Sequence, residues 1–265
     1  MTQHWNFTDL EFKLLCDEYR RGTLPAPFVF TSRTRRLDEY ERERDVVRER
    51  LRELADTEFE AMVAAISRPE VFVVAHAWND QDFDNPEHRI RVHAVRYGAR
   101  GYLLSQKPGE TLWHSGGFTV TECDPRALGE AVIGHLPRAR AGIRPDLVVT
   151  TVAPRHTYDL TASMVADDDE PEDDEYEVSS AFLDTPATAT GIVKVLQGRS
   201  KFGPRGRVES GVLWRDLPDD GRYVLPLDDP APIATGMGTD RLVAWVDREI
   251  ERILIRMDEH RETAD

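Results

Sequence analysis

The segment 214–225, with the sequence WRDLPDDGRYVL, constrains the fold more than any other part of the chain. Trp214 ends an apolar run, and the residues from Arg222 onward resume a β-forming pattern. Between them, the sequence Asp-Asp-Gly supplies a turn, because glycine at position 221 adopts a positive φ without steric cost. The segment therefore predicts two strands joined by a tight turn, and with them an antiparallel sheet.

Apolar and alternating runs elsewhere predict further strands. The first group comprises residues 71–78, 89–97, 102–106, 111–114 and 118–122, and the second comprises residues 147–152, 190–197, 211–214, 222–227 and 233–235. Helices are predicted after a capping box at Thr8–Glu11 and over 37–54, 58–66 and 124–136, and from the cap at Thr239 to about residue 260. The order of these elements repeats loosely between the two halves of the chain.

The net charge of −15 is unevenly distributed, because nine carboxylates lie between Asp167 and Glu177. Such a run cannot bury apolar area, so residues 166–177 are predicted to be a mobile loop. This loop divides a single domain, 1–265, into halves of about 1–165 and 178–265.

Charge, apolar content and cysteine usage also limit the partners and the compartment. The acidic charge opposes binding to nucleic acid, and no apolar run approaches the roughly 18 residues that cross a bilayer. The N-terminus has no signal-like pattern, and the two cysteines, Cys16 and Cys123, are far apart. A cytoplasmic location without membrane insertion is therefore expected.

Three histidines are the main candidates for metal chemistry. His76, His88 and His93 lie in or beside adjoining strand candidates, near the carboxylates at 80–84. A metal-dependent hydrolase built on them is one alternative, although no H-E-x-x-H or C-x-x-C pattern accompanies them. A generic ligand-binding α/β module with a deep apolar cavity is another. We assign no catalytic, cofactor-binding or metal-binding residue.

The final predicted helix has one apolar face and a basic flank. Trp245 lies beside Arg241, Arg248 and Arg252 at helical spacing. Packing against the core with a charged exterior explains this pattern. A partner-binding ridge also explains it, since Trp and Arg are frequent interface anchors.

Three segments resemble the EspG family. They are Leu24-Pro25-Ala26-Pro27-Phe28, the stretch from Gly191 to Arg207, and the Trp214, Asp216, Gly221, Arg222 and Tyr223 pattern. The resemblance implies an α+β fold in which a central, largely antiparallel β-sheet is flanked by helical bundles, in two pseudo-symmetric halves. It also implies a cytosolic chaperone of type VII (ESX) secretion, without catalytic residues or cofactors.

The partners implied by the resemblance are PE–PPE dimers, or PPE-like or WXG-like helical secretion substrates. The chaperone itself is expected to be a monomer or homodimer. In the family, the loop between the second and third strands and the C-terminal helical region face the client. The corresponding partner-binding residues here are Trp78, Phe83, Arg241, Trp245, Arg248 and Arg252.

Overall fold

The computed structural model describes residues 2–150 and 171–262. Within these residues, the strands are β1 (His4–Phe7), β2 (Val71–Trp78), β3 (Ile90–Tyr97), β4 (Arg100–Pro108), β5 (Ser115–Cys123), β6 (Leu147–Val148), β7 (Ala189–Gln197), β8 (Glu209–Leu217), β9 (Gly221–Pro226) and β10 (Ile233–Gly236). The helices are α1 (Asp9–Tyr19), α2 (Leu37–Glu53), α3 (Thr57–Ser67), α4 (Leu128–Ile133), α5 (Pro171–Asp184) and α6 (Thr239–Glu262).

In the described part of the chain, the strands form one antiparallel sheet in the order β1-β5-β4-β3-β2-β7-β8-β9-β10-β6. Two meanders, β2–β5 and β7–β10, meet at the centre, where Val74 pairs with Lys194. Each meander is followed by a helix, α4 or α6, and each gains an outer strand, β1 or β6. The predicted α+β class, with an antiparallel sheet in two related halves, is confirmed.

Strand β6 precedes residue 165 but pairs with β10 of the second meander. The pairing favours a division of the halves between α4 and β6. The single domain over 1–265 stays a prediction.

Helices pack on both faces of the sheet but not evenly. Helices α4 and α6 cover one face of the central strands, where Ala75, Val193 and Val246 join one apolar cluster. On the other face, α1 and α3 pack against β3–β5, and Phe182 of α5 packs against Tyr223. The helices with extensive contacts to β2 and β7 thus lie on the first face.

Local sequence signals place several elements correctly. Strand β2 has the predicted bounds, and the capping box at Thr8 and Glu11 begins α1 with both of its hydrogen bonds. The mobile loop predicted over 166–177 is wrong for residues 171–177, which belong to α5. Proline is tolerated in the first helical turn, and negative charge there interacts favourably with the helix dipole. An acidic run can therefore begin a helix. Residues 166–170 lie outside the described residues.

The motif residues of the opening segment form a buried cluster between β8 and β9. Arg222 is fully buried and donates from Nε and Nη2 to the Asp216 carboxylate at 2.7 and 2.8 Å. Its guanidinium lies 4.3 Å from the centre of the Trp214 ring. The Tyr223 hydroxyl donates to Asp220 at 2.9 Å. A charged pair is thereby held inside the sheet with most of its donors satisfied.

The same cluster fastens the segment that follows α4 to the sheet. Arg222 Nη2 donates to the carbonyl of Pro137 at 2.7 Å, and the backbone N–H of Arg222 donates to the carbonyl of Arg140 at 2.8 Å. The backbone N–H groups of Gly142 and Met237 both donate to the carbonyl of Arg222 at 2.9 Å. The motif therefore links β9 to both neighbouring segments.

Gly221 supports this packing through close backbone approach. In the turn before β9, Asp219 has the left-handed φ of 58°, whereas Gly221 begins the strand with φ 155°. A Cβ atom at Gly221 would lie 2.6 Å from the carbonyl oxygen of Ala141. The turn was predicted, but the main reason for glycine is the neighbouring backbone.

Replacing Gly221 with valine is expected to lower the free energy of unfolding by at least about 2 kcal/mol, through overpacking and backbone strain. Urea denaturation measures this loss. Gly98→Val is the matched control, because Gly98 has φ +58° and no atom within 4 Å of its added Cβ. This control should lose about 1–2 kcal/mol. Equal losses in the two variants would show that close approach at Gly221 is unimportant.

Candidate protein-interaction surface

The three histidines do not form a metal site. His93 is buried, with Nδ1 2.7 Å from the Ala26 carbonyl oxygen, and His88 is exposed, with Nδ1 3.1 Å from an oxygen of Asp82. His76 is half-buried on β2 and pairs across the ladder with Arg91. Among residues 2–150 and 171–262, no group of three or more His, Cys, Asp or Glu residues is arranged to hold a metal ion.

His76 makes stability depend on pH. Burial lowers its pKa from 6.5 to about 4, with smaller contributions from the positive charges of Arg91 and Arg89. The unfolded chain therefore binds a proton at a pH where the folded chain does not. Stability that is present above pH 6.5 is lost as the pH falls towards 4. His93 acts in the same direction, because burial lowers its pKa to about 4 as well.

His76→Gln is expected to reduce the loss of stability between pH 6.5 and 4, because glutamine does not titrate there. The free energy of unfolding of the variant and the wild type, measured by urea denaturation at both limits, gives the difference. Identical pH dependence in the two proteins would contradict the placement of His76.

The loop between β2 and β3 is anchored to the second half of the molecule through Asp80. One carboxylate oxygen, Oδ2, accepts hydrogen bonds from Arg215 at 3.0 Å, from the Thr190 hydroxyl at 3.0 Å and from the Ala187 backbone at 3.1 Å. Arg215 is itself fixed by the carbonyls of Phe182 and Thr185. The loop is thus positioned by groups on β7, on β8 and at the end of α5.

Phe83 projects from this loop and packs on the side chain of Arg89. Its ring is 52 % exposed and lies 4.0 Å from the guanidinium of Arg89. Arg89 also donates to the carbonyl of Phe83 at 2.6 Å, and Trp78 meets Phe83 edge-on with 6.2 Å between ring centres. The aromatic side chain is therefore both exposed and held in place, as an interface anchor requires.

A second exposed aromatic side chain, Trp113, lies in the loop between β4 and β5 and is 68 % exposed. The strand predicted over 111–114 is wrong: the Thr111 hydroxyl contacts His114 Nδ1 at 2.7 Å and accepts from the backbone of Trp113 at 3.2 Å, which makes a turn. Arg91, at the start of β3, ties this loop to the sheet by donating to the carbonyl of Leu112 at 2.9 Å. The sequence signal was Pro108-Gly109 followed by Thr111, a pattern typical of loops.

We call Trp78, Phe83, Arg89, Arg91 and Trp113 the aromatic rim. Next to it lies a half-buried patch on the central strands, made of Val74 and His76 of β2 and Ile192, Lys194 and Leu196 of β7, which we call the open strip. These side chains alternate with those buried under α4 and α6, so they point to the opposite face. Cross-strand pairing joins them into one surface.

The basic group on the final helix is separate from the rim. Trp245 is half-buried against the cluster that contains Ala75 and Ala77, whereas His76 and Trp78 point to the other face of β2. Arg248 is exposed, Arg241 donates to the carbonyl of Gly236, and Arg252 pairs with Glu249 at 2.7 Å. The sheet thus separates the predicted partner-binding residues of α6 from Trp78 and Phe83. All six predicted partner-binding residues stay a prediction.

Comparisons with known proteins agree with the fold. A sequence model of the EspG family matches residues 8–248. The solved structure of the Mycobacterium tuberculosis type VII secretion system chaperone EspG5, in complex with a PE25–PPE41 dimer, is similar over 93 % of this chain and 94 % of that chain, with a TM-score of 0.52 and 14 % identity. Comparison with curated protein sequences gives no significant match. No helix within the described residues is long and apolar enough to cross a membrane.

Proposed function

This chain belongs to the EspG family, and we propose that it is a chaperone of type VII secretion that binds PE–PPE dimers or PPE-like helical substrates. EspG5, whose fold it shares, is a type VII secretion chaperone in complex with a PE25–PPE41 dimer. The proposal includes a cytosolic location and a chaperone that is monomeric or homodimeric before it binds its client. Family membership favours binding over catalysis.

The aromatic rim is the observation that carries the choice of surface. Phe83 and Trp113 present large apolar area that no neighbouring helix covers in the described part of the chain. Arg89 and Arg91 lie beside them, and aromatic and arginine side chains together are enriched among interface anchors. A helical client with an apolar tip would bury these rings, and the Phe83 ring is already held by Arg89 and Trp78.

The acidic side chains around the rim can set the orientation of a bound client. Asp82, Asp84 and Glu87 of the same loop are exposed beside Phe83. Charged groups at the edge of an apolar contact mainly set orientation and association rate. The open strip extends the surface along the sheet and supplies further apolar area through Val74, Ile192 and Leu196.

Isothermal titration calorimetry with a PE–PPE dimer, or a PPE-like protein, encoded next to this chain tests the proposed function. We expect saturable binding and a complex that co-elutes in size-exclusion chromatography. An unrelated helical-bundle protein is the control and should give no heat. At concentrations of about 100 µM, even a binding free energy near −5 kcal/mol is detected, so absence of binding there would contradict the proposal.

A further inference from the structure

A cavity of about 460 Å³ lies between the C-terminal ends of α1 and α3 and the sheet. Its wall includes Phe72, which is six residues, or about 20 Å, from Trp78 along β2 and pairs across the ladder with Leu196 of the open strip. Gly198 also lines the cavity and packs tightly on Pro69, since an added Cβ would lie 2.0 Å from the Pro69 carbonyl oxygen. The cavity therefore lies beside the open strip and away from Trp78, at the opposite end of β2.

Four arginines line this cavity: Arg20, Arg21, Arg68 and Arg207. Among the described residues, no carboxylate lines it, and none of these four arginines forms an ion pair. This concentration of unneutralised positive charge occurs in a chain with a net charge of −15. It attracts an anion locally, against the overall charge of the protein.

Two of the arginines show specific placement. Arg20 donates from Nε to the Thr23 carbonyl at 3.2 Å and from Nη1 to the Ile66 carbonyl at 2.5 Å, which fixes its guanidinium beside the cavity. Arg21 has a φ of 55°, in the left-handed region that favours glycine. The chain thus has an arginine at a position whose backbone conformation favours glycine.

The cavity also contains polar groups without a protein partner. His93 is 2 % exposed, and its Nδ1 lies 2.7 Å from the Ala26 carbonyl oxygen, so Nδ1 carries the proton and Nε2 can only accept. Within the described residues, Nε2 of His93 and the hydroxyl oxygen of Ser67 are buried without a hydrogen-bond partner, and both residues line the cavity. Buried polar groups of this kind are normally satisfied, which points to a ligand.

We propose that the cavity binds a small molecule that carries a phosphate group. Guanidinium groups bind phosphate oxygens with paired, charge-assisted hydrogen bonds. A protonated phosphate oxygen, or a hydroxyl on the same molecule, supplies the donor that His93 Nε2 needs, whereas an ionised carboxylate offers only acceptors. The cavity volume of about 460 Å³ is in the range of small-molecule sites.

Isothermal titration calorimetry of the full chain with inorganic phosphate and with ribose 5-phosphate, in a phosphate-free buffer, tests this proposal. We expect both to bind saturably and ribose 5-phosphate to bind more tightly, because its hydroxyls reach further polar groups. Malonate, a dicarboxylate without a hydroxyl group, is the comparison anion and should bind more weakly. Absence of saturable binding for both phosphate compounds, or equal affinity for malonate, would overturn the proposal.

Arg21→Gly separates ligand binding from folding. The variant relieves a left-handed arginine, so its melting temperature should equal or exceed that of the wild type. The loss of one charged donor should weaken phosphate binding by about fivefold or more. Arg205→Ala removes an exposed arginine of the β7–β8 loop that does not line the cavity, and should leave affinity unchanged. Unchanged affinity in Arg21→Gly, or an equal loss in Arg205→Ala, would overturn the assignment of the phosphate site to this cavity.

Discussion

Replacing Arg222 with methionine is expected to lower the free energy of unfolding by about 3–5 kcal/mol. The substitution leaves the Asp216 carboxylate, only 7 % exposed, without the two hydrogen bonds that Arg222 supplies. It also removes the contact with Trp214 and the hydrogen bond to the Pro137 carbonyl. Urea denaturation followed by intrinsic tryptophan fluorescence measures the change.

Arg52→Met is the matched control for Arg222→Met. Arg52 also pairs with a carboxylate, Glu49, at 2.8 Å, but both side chains are exposed. The control should therefore lose less than about 1 kcal/mol. A double variant, Arg222→Met with Asp216→Leu, should recover part of the loss, because it removes the unpaired buried charge. A loss for Arg222→Met as small as for the control would show that the motif does not stabilise the sheet.

The double variant Phe83→Ala and Trp113→Ala is expected to weaken client binding by about 3 kcal/mol or more, which is more than a hundredfold in Kd. Both rings are exposed, so their removal leaves the core intact and the melting temperature nearly unchanged. Calorimetry with the PE–PPE or PPE-like client measures the affinity, and a thermal melt of the same sample checks the fold.

Ile255→Ala is the matched control for the rim variant. Ile255 is 53 % exposed, close to the 52 % of Phe83, but it lies on α6. Its removal should leave affinity within about twofold, a difference below 0.5 kcal/mol. Arg248→Glu tests the alternative surface on the same helix. If Arg248→Glu weakens binding and the rim variant does not, the client binds at α6 instead.

Local chemistry in the sequence was sufficient for many elements. The apolar run over 71–78 predicted the bounds of β2, and Thr239 marked the start of α6. The Thr239 hydroxyl, however, bonds to the backbone of Ala139 rather than capping the helix. Where local signals compete, the prediction failed. Residues 111–114 contain β-forming Thr and Trp, yet the Thr111 side chain makes a turn. The helix expected over 124–136 is shorter, since the Asp124 side chain accepts from the backbone of Arg126 before α4 begins at Leu128.

The candidate surface depended on contacts that are distant in sequence, and these could not be predicted. Periodicity indicates that Trp78 lies in an apolar strand and Trp245 beside the apolar face of a helix. It does not indicate that the sheet separates the two residues. That separation follows from the pairing of β2 with β7 and from α6 covering one side only. Arg89 and Arg91 were likewise inconspicuous in the sequence, because the contact of Arg91 with Leu112 spans 21 positions.

Hydrogen–deuterium exchange of the chain, with and without its PE–PPE or PPE-like client, tests the proposed function and its surface most directly. The account predicts slower exchange in the bound state over the two rim loops, residues 79–89 and 109–114, and little change along the exposed side of α6. Slower exchange confined to α6, with both rim loops unchanged, would contradict it.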